Sequence, residues 1–323
     1  MFSQEYREPP DMEKQNKTEQ EYDDSICEKY ETVVEKLDNF IYLVDYYQMI
    51  EDSYNSYKEC LNQNSIEFWK INKKQLDYLN AVYCYKEFIS KKESSIEKEA
   101  DKYYVNMHAY RFILDFRNLA VHHAVFAKEY SHKKKEAFVL MERLLNIQEE
   151  NLNYQKNKLE EAKRKKWRTI ISLEKKVSNA ERFFKEIQQK SYESGFFYEG
   201  NTLCSMNTIM RDAQVEICDI HENMLQIAYE QWVKESIIWL ISLIYHDEKG
   251  LKFTYIYNDQ YETKVGVQSV FYAPTSSIDG FLEYVISGLG KQHPICIQLK
   301  NLLRENGYTY LFEQNCTIEN FFA

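Results

Sequence analysis

Apolar residues recur every three or four positions along most of the chain up to about residue 245, the spacing of one face of an α-helix. Residues 1–24 lack this pattern. They are polar, acidic and interrupted by two prolines, and they predict a disordered tail. The spacing predicts helices from Asp24 or Ser25 to about Cys60, from after Ser65 to about Phe88, over Ile96–Tyr130 and over Thr202–Tyr245.

A long segment between Lys133 and Ser194 contains neither glycine nor proline, and the helical spacing continues through it. This predicts either one very long helix or a helical hairpin with a break near Arg164–Thr169. The sequence leaves both alternatives open.

The pattern changes after Gly250, where KFTYIY and KVGVQSVFYA are rich in β-branched and aromatic residues. We expect a β-hairpin around Asn258-Asp259, helices over about Ser277–Ser287 and Pro294–Glu305, and a short strand at Tyr308–Phe312. These elements define a small α+β region at the C-terminal end.

Composition supports a mainly α fold, because the 323 residues include only eight glycines and four prolines. We predict a disordered acidic tail at 1–24, a helical domain at 25–247 that contains the segment 133–194, and an α+β region at 248–323. The longest apolar run, Ile237–Tyr245, is about half of the roughly 20 residues that a membrane span needs. The first residues contain no apolar signal-peptide segment, so we expect a cytoplasmic protein with no membrane association.

The seven cysteines are scattered and never form a C-x-x-C pair, which argues against disulfides and a zinc site. No nucleotide-binding glycine loop, G-x-S-x-G or H-E-x-x-H motif is present. We therefore expect no metal and no cofactor.

The net charge of −10 is unevenly distributed. Residues 1–31 carry ten acids and four bases, whereas residues 131–190 carry sixteen bases and nine acids. Local charge matters more than the total for phosphate binding. RNA phosphates are candidate ligands of Lys163, Arg164, Lys165, Lys166 and Arg168, with Trp167 as a stacking surface. The alternative is that this stretch is only a solvated helix face.

The candidate chemistry lies at Phe116-Arg117-Asn118-Leu119-Ala120-Val121-His122-His123, within an apolar helical stretch. Cleaving RNA without a metal uses the ribose 2′-hydroxyl as the nucleophile, which requires a general acid or base such as histidine. It also requires a cation that stabilises the phosphorane-like state, and arginine offers a permanently charged fork. Arg117 and His122 are the candidate catalytic residues. Asn118 and His123 are candidate supporting residues.

Helix geometry constrains this pair. At 100° per residue, Arg117 and His122 are about 140° apart and do not share a face. Convergence on one phosphate therefore requires local distortion, or two copies of the motif meeting across an interface.

The residues RNLAVHH resemble the R-N-x-x-x-H signature of the HEPN superfamily of ribonucleases, which includes toxins and abortive-infection proteins. The resemblance covers the motif and the helices around it, about residues 28–130. It implies a HEPN-like helical bundle and a homodimer in which two motifs form one composite site. It also implies a 2′,3′-cyclic phosphate product and a role in phage defence or as a toxin. Because an unrestrained ribonuclease harms its cell, we also expect a regulatory or antitoxin partner.

Other interpretations of the same residues remain open. Arg117 could be a structural arginine paired with Asp115 or with a neighbouring helix, and His122 could be a core histidine. The helical domain could retain the motif as an inactive module that binds RNA or a protein. The long segment without glycine or proline could also belong to a structural scaffold.

Overall fold

A computed structural model gives a mainly helical protein. It describes residues 17–63, 67–91, 94–123, 126–131, 133–194, 196–198, 201–242, 244–247, 250–253, 256–258, 262–263, 266–267, 270–272 and 274–308. The α-helices in these ranges are α1 (Lys17–Leu61), α2 (Phe68–Ile89), α3 (Ser94–Asn106), α4 (His108–His123), α5 (Met141–Lys165), α6 (Ile170–Ser194), α7 (Met206–Ala228), α8 (Lys234–Ser242), α9 (Pro274–Leu289) and α10 (Pro294–Glu305).

Helix α1 begins at Lys17, before the predicted start at Asp24 or Ser25, so residues 17–24 are helical and are not a disordered tail. The rest of the predicted tail, residues 1–16, lies outside the described residues.

The predicted single helix over Ile96–Tyr130 is wrong. The helix is interrupted at Met107, between α3 and α4, and strand β1 (Glu129–Ser131) follows α4. β1 pairs antiparallel with β2 (Glu136–Leu140) across a turn in which Lys135 has a φ of 55°. The pairing supplies β1 with backbone hydrogen bonds that a continued helix would otherwise provide.

The segment 133–194 folds mainly as the hairpin alternative, with α5 and α6 joined at residues 166–169. Lys166 adopts the left-handed conformation with a φ of 52°, and the Trp167 amide donates to the Ala162 carbonyl over 3.0 Å. Both features are typical of a helix C-terminus. Near this turn the two helices bury a small cluster formed by Leu159, Ala162 and Leu173.

A four-stranded antiparallel sheet lies at the base of the hairpin, in the order β1-β2-β4-β3. Strands β3 (Phe196–Tyr198) and β4 (Asn201–Ser205) follow α6, and Phe138 of β2 pairs with Ser205 of β4. The predictions of helix through residues 136–140 and from Thr202 onward are therefore wrong at these strands. A short apolar run has the same composition in a buried strand and a buried helix, so periodicity does not separate them.

The chain divides into two compact units. One unit, Asp45–Leu225, contains the hairpin, the four-stranded sheet and the R-N-x-x-x-H motif. Its core is rich in buried aromatic side chains, including Tyr57, Tyr78, Tyr85, Phe112 and Phe116. The two units differ from the predicted domains because they reflect compactness alone. The predicted boundaries after residues 24 and 247 stay predictions.

The other unit contains residues 1–44 and 226–323. A π-helical turn at Tyr229–Val233 precedes α8, and α9 and α10 match the two predicted C-terminal helices closely. Short strands lie between α8 and α9, at Ile244–Asp247, Gly250–Phe253, Ile256–Asn258, Glu262–Thr263, Gly266–Val267 and Val270–Tyr272. Residues 309–312 of the predicted last strand lie outside the described residues.

None of the described helices combines the length and the apolar character of a membrane-spanning segment.

Candidate functional site

Helix α4 carries the whole motif in its last two turns, and its inner face is formed by Phe112, Phe116, Leu119 and Ala120. The half-buried Arg117 side chain points toward α2. Its Nε donates a hydrogen bond to Asn80 Oδ1 over 3.2 Å, and its Cζ lies 4.2 Å from the centroid of the Tyr83 ring. Two contacts from one neighbouring helix thus hold the guanidinium in one orientation.

The two Nη atoms of this guanidinium are hydrogen-bonded less firmly than Nε. Nη1 reaches Asn118 Oδ1 only at 3.5 Å, a long hydrogen bond. Among the residues that the structure describes, no partner is found for Nη2 of Arg117. The arrangement leaves N–H donors for an external anion, because arginine carries five donors and only Nε is firmly bound.

His122 and His123 lie in the last turn of α4, and both side chains are exposed. Val121, beside them, is also exposed, at 42 %. Arg143 of α5 reaches the backbone carbonyl of His123 at 3.5 Å. His122 is therefore not a histidine of the apolar core, and its imidazole is open to solvent and to ligands.

The structure does not bring Arg117 and His122 together within one chain. Both lie on one continuous α-helix, so they are separated by about 7.5 Å along its axis and by about 140° around it. No hydrogen bond joins their side chains in the described part of the chain. Local distortion is thus not how this helix would assemble a site.

Asn118 is exposed and borders two clefts whose walls are partly polar and partly apolar. The clefts have volumes of about 260 Å³ and 290 Å³. They share Tyr104, Asp115, Asn118 and Asn179 in their walls. Lysines of α6 add positive charge, Lys175 to the first cleft and Lys176 to the second. The motif helix therefore faces a polar, partly basic surface of the hairpin.

Asp115, between the two clefts, is paired with Arg182 of α6 and not with Arg117. Its Oδ2 lies 3.3 Å from Arg182 Nη2, and its Oδ1 accepts a hydrogen bond from the Tyr104 hydroxyl over 3.2 Å. Burial raises the pKa of the Asp115 carboxyl to about 6, and the attraction of Arg182 offsets this only in part. The carboxyl is thus mostly ionised at neutral pH and protonated in mild acid.

A second ion pair, between Arg111 and Glu186, also joins α4 to α6. Arg111 is only 5 % exposed and donates to the Val105 carbonyl over 2.6 Å. Sequence reasoning missed both pairs. A signal was present, because Arg111 and Asp115 on one helix, and Arg182 and Glu186 on the other, have matching i, i+4 spacing and opposite charges.

The basic stretch lies at the tip of the hairpin, and all of its side chains are exposed. Lys163 lies 3.7 Å from Glu160 and 3.8 Å from Glu174, and Lys165 lies 2.6 Å from Glu161. No ion pair with a described carboxylate is found for the remaining bases of this stretch, which are Arg164, Lys166 and Arg168.

No protein-family model matches the chain, and neither a curated protein nor a solved structure is found to be similar to it. The family resemblance therefore rests on the residues of the motif. Within the described ranges, no group of three or more His, Cys, Asp and Glu side chains has the spacing of a metal site.

Proposed function

We propose that the protein is a metal-independent endoribonuclease of the HEPN type, with Arg117 binding the phosphate and His122 acting as general acid or base. The observation that carries the proposal is the contrast within α4. Arg117 is held by Asn80 and Tyr83 with N–H donors left over, and His122 is exposed near the end of the same helix. A fixed cation and an accessible imidazole are what this reaction needs.

The proposed reaction is a transesterification. A base removes the proton of the ribose 2′-hydroxyl, and the 2′-oxygen forms a bond to phosphorus. The bond from phosphorus to the 5′-oxygen breaks, and an acid protonates that oxygen as it leaves. The products are a 2′,3′-cyclic phosphate and a free 5′-hydroxyl. In a site shared by two copies, the His122 of each copy serves one of the two proton transfers, and Arg117 stabilises the charge on the phosphorane-like state.

Two copies of the chain are required in this proposal. Arg117 and His122 lie on different faces of one α4, so a composite site pairs two motifs across a homodimer interface. The exposed Val121, His122 and His123 would lie at this interface. A monomer would then be inactive, and dissociation would itself restrain the enzyme.

The cellular role follows from the resemblance alone. We propose a cytoplasmic ribonuclease that acts in phage defence or as a toxin, restrained by a regulatory or antitoxin partner.

RNA cleavage by the purified protein in the presence of EDTA tests the activity. We expect cleavage by the wild type and losses of at least about 100-fold for Arg117→Ala and His122→Ala, the usual scale for such groups. Arg211→Ala is the matched control, because Arg211 is exposed and pairs with the adjacent Asp212. Equal activity of all four proteins would exclude the proposed roles. His123→Ala, measured beside them, shows whether the second histidine assists.

A second candidate function is a catalytically inactive HEPN-like module that binds RNA or a protein. The basic side chains at the hairpin tip for which no described carboxylate forms an ion pair favour this alternative, because they can bind RNA without the motif. Undiminished RNA affinity together with no cleavage of any RNA class would establish this alternative.

A further inference from the structure

The tip of the α5–α6 hairpin concentrates positive charge. Residues 156–176 contain nine basic and three acidic side chains. Lys156 pairs with Glu181 at 2.8 Å, and the glutamates within the segment pair with Lys163 and Lys165. Among the described residues, no close ion pair with a carboxylate is found for Lys158, Arg164, Lys166, Arg168, Lys175 and Lys176. The described part of the hairpin tip therefore carries a positive excess.

Aromatic side chains accompany this charge. Trp167 is 40 % exposed and Tyr154 is 60 % exposed, and both line a groove of about 400 Å³. Its charged walls are Lys158 and Arg164 together with Glu160 and Glu161, which pair with Lys163 and Lys165. Lys165 Nζ lies 5.4 Å from the Trp167 ring centroid. Exposed aromatic rings beside basic side chains are the combination that binds single-stranded nucleic acid, because nucleobases stack on the rings while phosphates contact the cations.

The basic surface continues from the tip toward the motif. Lys175 and Lys176 follow the tip on α6, and they line the two clefts that Asn118 borders. The distance along α6 from Ile170 to Asn179 is only about 13 Å, at about 1.5 Å per residue. The N-terminus of α6 also lies at the tip, where the positive end of the helix dipole adds to the attraction for phosphate.

We propose that the hairpin is an RNA-binding arm: its tip binds single-stranded RNA through Trp167, Arg164, Lys166 and Arg168, and Lys175 and Lys176 continue this track to the motif. This deepens the proposed function by naming single-stranded RNA as the substrate class and the hairpin as the element that presents it. An acidic protein partner would contact the same charges, and competition with polyglutamate distinguishes it from RNA.

The test measures the affinity of a fluorescein-labelled oligouridylate by anisotropy over a series of salt concentrations, in a His122→Ala background that prevents cleavage. The variants are Trp167→Ala and the triple variant Arg164→Glu, Lys166→Glu and Arg168→Glu. The control is a dispersed triple reversal with the same change in net charge, Lys73→Glu, Lys98→Glu and Lys234→Glu. All three control lysines are exposed on other helices. Circular dichroism checks that each variant folds.

We expect Trp167→Ala to weaken binding by about five-fold or more and Trp167→Phe to retain most of it, because stacking needs an aromatic face. The tip reversal should weaken binding at least about ten-fold and lower the slope of log affinity against log salt by about 2, since each phosphate contact on a single strand contributes about 0.7. The dispersed control should change both quantities much less. A duplex of the same length should be insensitive to Trp167→Ala.

Equal losses for the tip and dispersed reversals would overturn the proposal, because net charge alone would then explain binding. Unchanged affinity in the tip variants would also overturn it, as would displacement of the RNA by polyglutamate at equal charge concentration. These outcomes are separate from the nuclease test. A protein that binds RNA through the tip but never cleaves it retains the arm and refutes only the catalytic roles of Arg117 and His122.

Discussion

The Arg117 guanidinium lies over the ring of Tyr83, with its Cζ 4.2 Å from the ring centroid, while Asn80 accepts a hydrogen bond from its Nε. Both partners come from the neighbouring helix α2. A long, flexible side chain is thereby ordered before any ligand arrives, which lowers the entropic cost of binding an anion. Tyr83 and Asn80 therefore act as positioning residues for Arg117 in the proposed site.

Replacing Tyr83 tests this positioning. Tyr83→Leu removes the aromatic face, and we expect the kcat/KM for RNA cleavage to fall about two- to five-fold, the scale of a partly exposed cation–π contact. Tyr83→Phe keeps the ring and should retain nearly wild-type activity. Equal losses in the two variants would show that the hydroxyl, and not the stacking, matters.

The proposed composite site predicts dominant inhibition between chains. When wild type is mixed and re-equilibrated with a nine-fold excess of His122→Ala, most wild-type chains pair with inactive ones. Cleavage per wild-type chain should then fall to about one tenth, because sites that combine two motifs need two intact copies. Activity that simply follows the amount of wild-type protein would rule out a site shared between copies.

The buried Asp115 carboxyl predicts a specific pH dependence of stability. Its pKa is raised to about 6 by burial, so between about pH 4 and pH 6 the unfolded chain loses this proton while the native protein keeps it. The contribution of the Asp115 side chain to the free energy of unfolding is therefore fully present below about pH 4 and is lost as pH rises through about 6. The loss is about 2–3 kcal/mol, since one pKa unit corresponds to about 1.4 kcal/mol.

Urea denaturation of the wild type and of Asp115→Asn across this pH range isolates the effect. The amide of the variant cannot ionise, so the free energy of unfolding of the wild type minus that of the variant should decrease between pH 4 and pH 6 and level off above pH 7. The subtraction removes the parallel contribution of Asp279, whose pKa is also raised to about 6. A constant difference would mean that Asp115 titrates normally in the folded protein.

The apolar cluster beneath the hairpin tip offers a test of packing. Leu173 is only 4 % exposed and packs with Leu159 and Ala162, so Leu173→Ala should destabilise the hairpin by about 2–4 kcal/mol. Ile171→Ala, two residues earlier on the same helix, is the matched control. Ile171 is 82 % exposed, and its truncation should cost less than about 0.5 kcal/mol.

Hydrogen exchange locates the destabilisation. Amides of α5 and α6 near the tip should lose protection in Leu173→Ala while those of α2 keep it, if the hairpin opens as a local unit. Uniform loss over α2, α5 and α6 would instead show that the hairpin and the helices around the motif unfold together.

The hairpin illustrates what the sequence predicts well. Helical spacing through 133–194, together with the absence of glycine and proline, predicted either one long helix or two paired helices, and the break lies at 166–169 within the predicted region. The candidate residues Arg117 and His122 came from local spacing alone. Their proposed roles stay predictions.

Other features depend on contacts between distant parts of the chain. Strands β2 and β4 have five residues each, and the residues that pair between these two strands lie 60 or more positions apart in the sequence. Asn80, which orients Arg117, is 37 positions away from it. The Arg182–Asp115 pair spans 67 positions. Periodicity reports which face of an element is apolar, but it does not report which element packs on that face.

The chemistry of the cleaved ends tests the central claim most directly. Mass spectrometry of the fragments from RNA incubated with the wild type in EDTA should find 2′,3′-cyclic phosphate ends facing 5′-hydroxyl ends. These products should be lost with His122→Ala, and a single 2′-deoxy substitution at the cleavage site should block them. Cleavage that leaves 3′-hydroxyl ends, or cyclic phosphate ends formed equally by His122→Ala, would contradict the proposed mechanism.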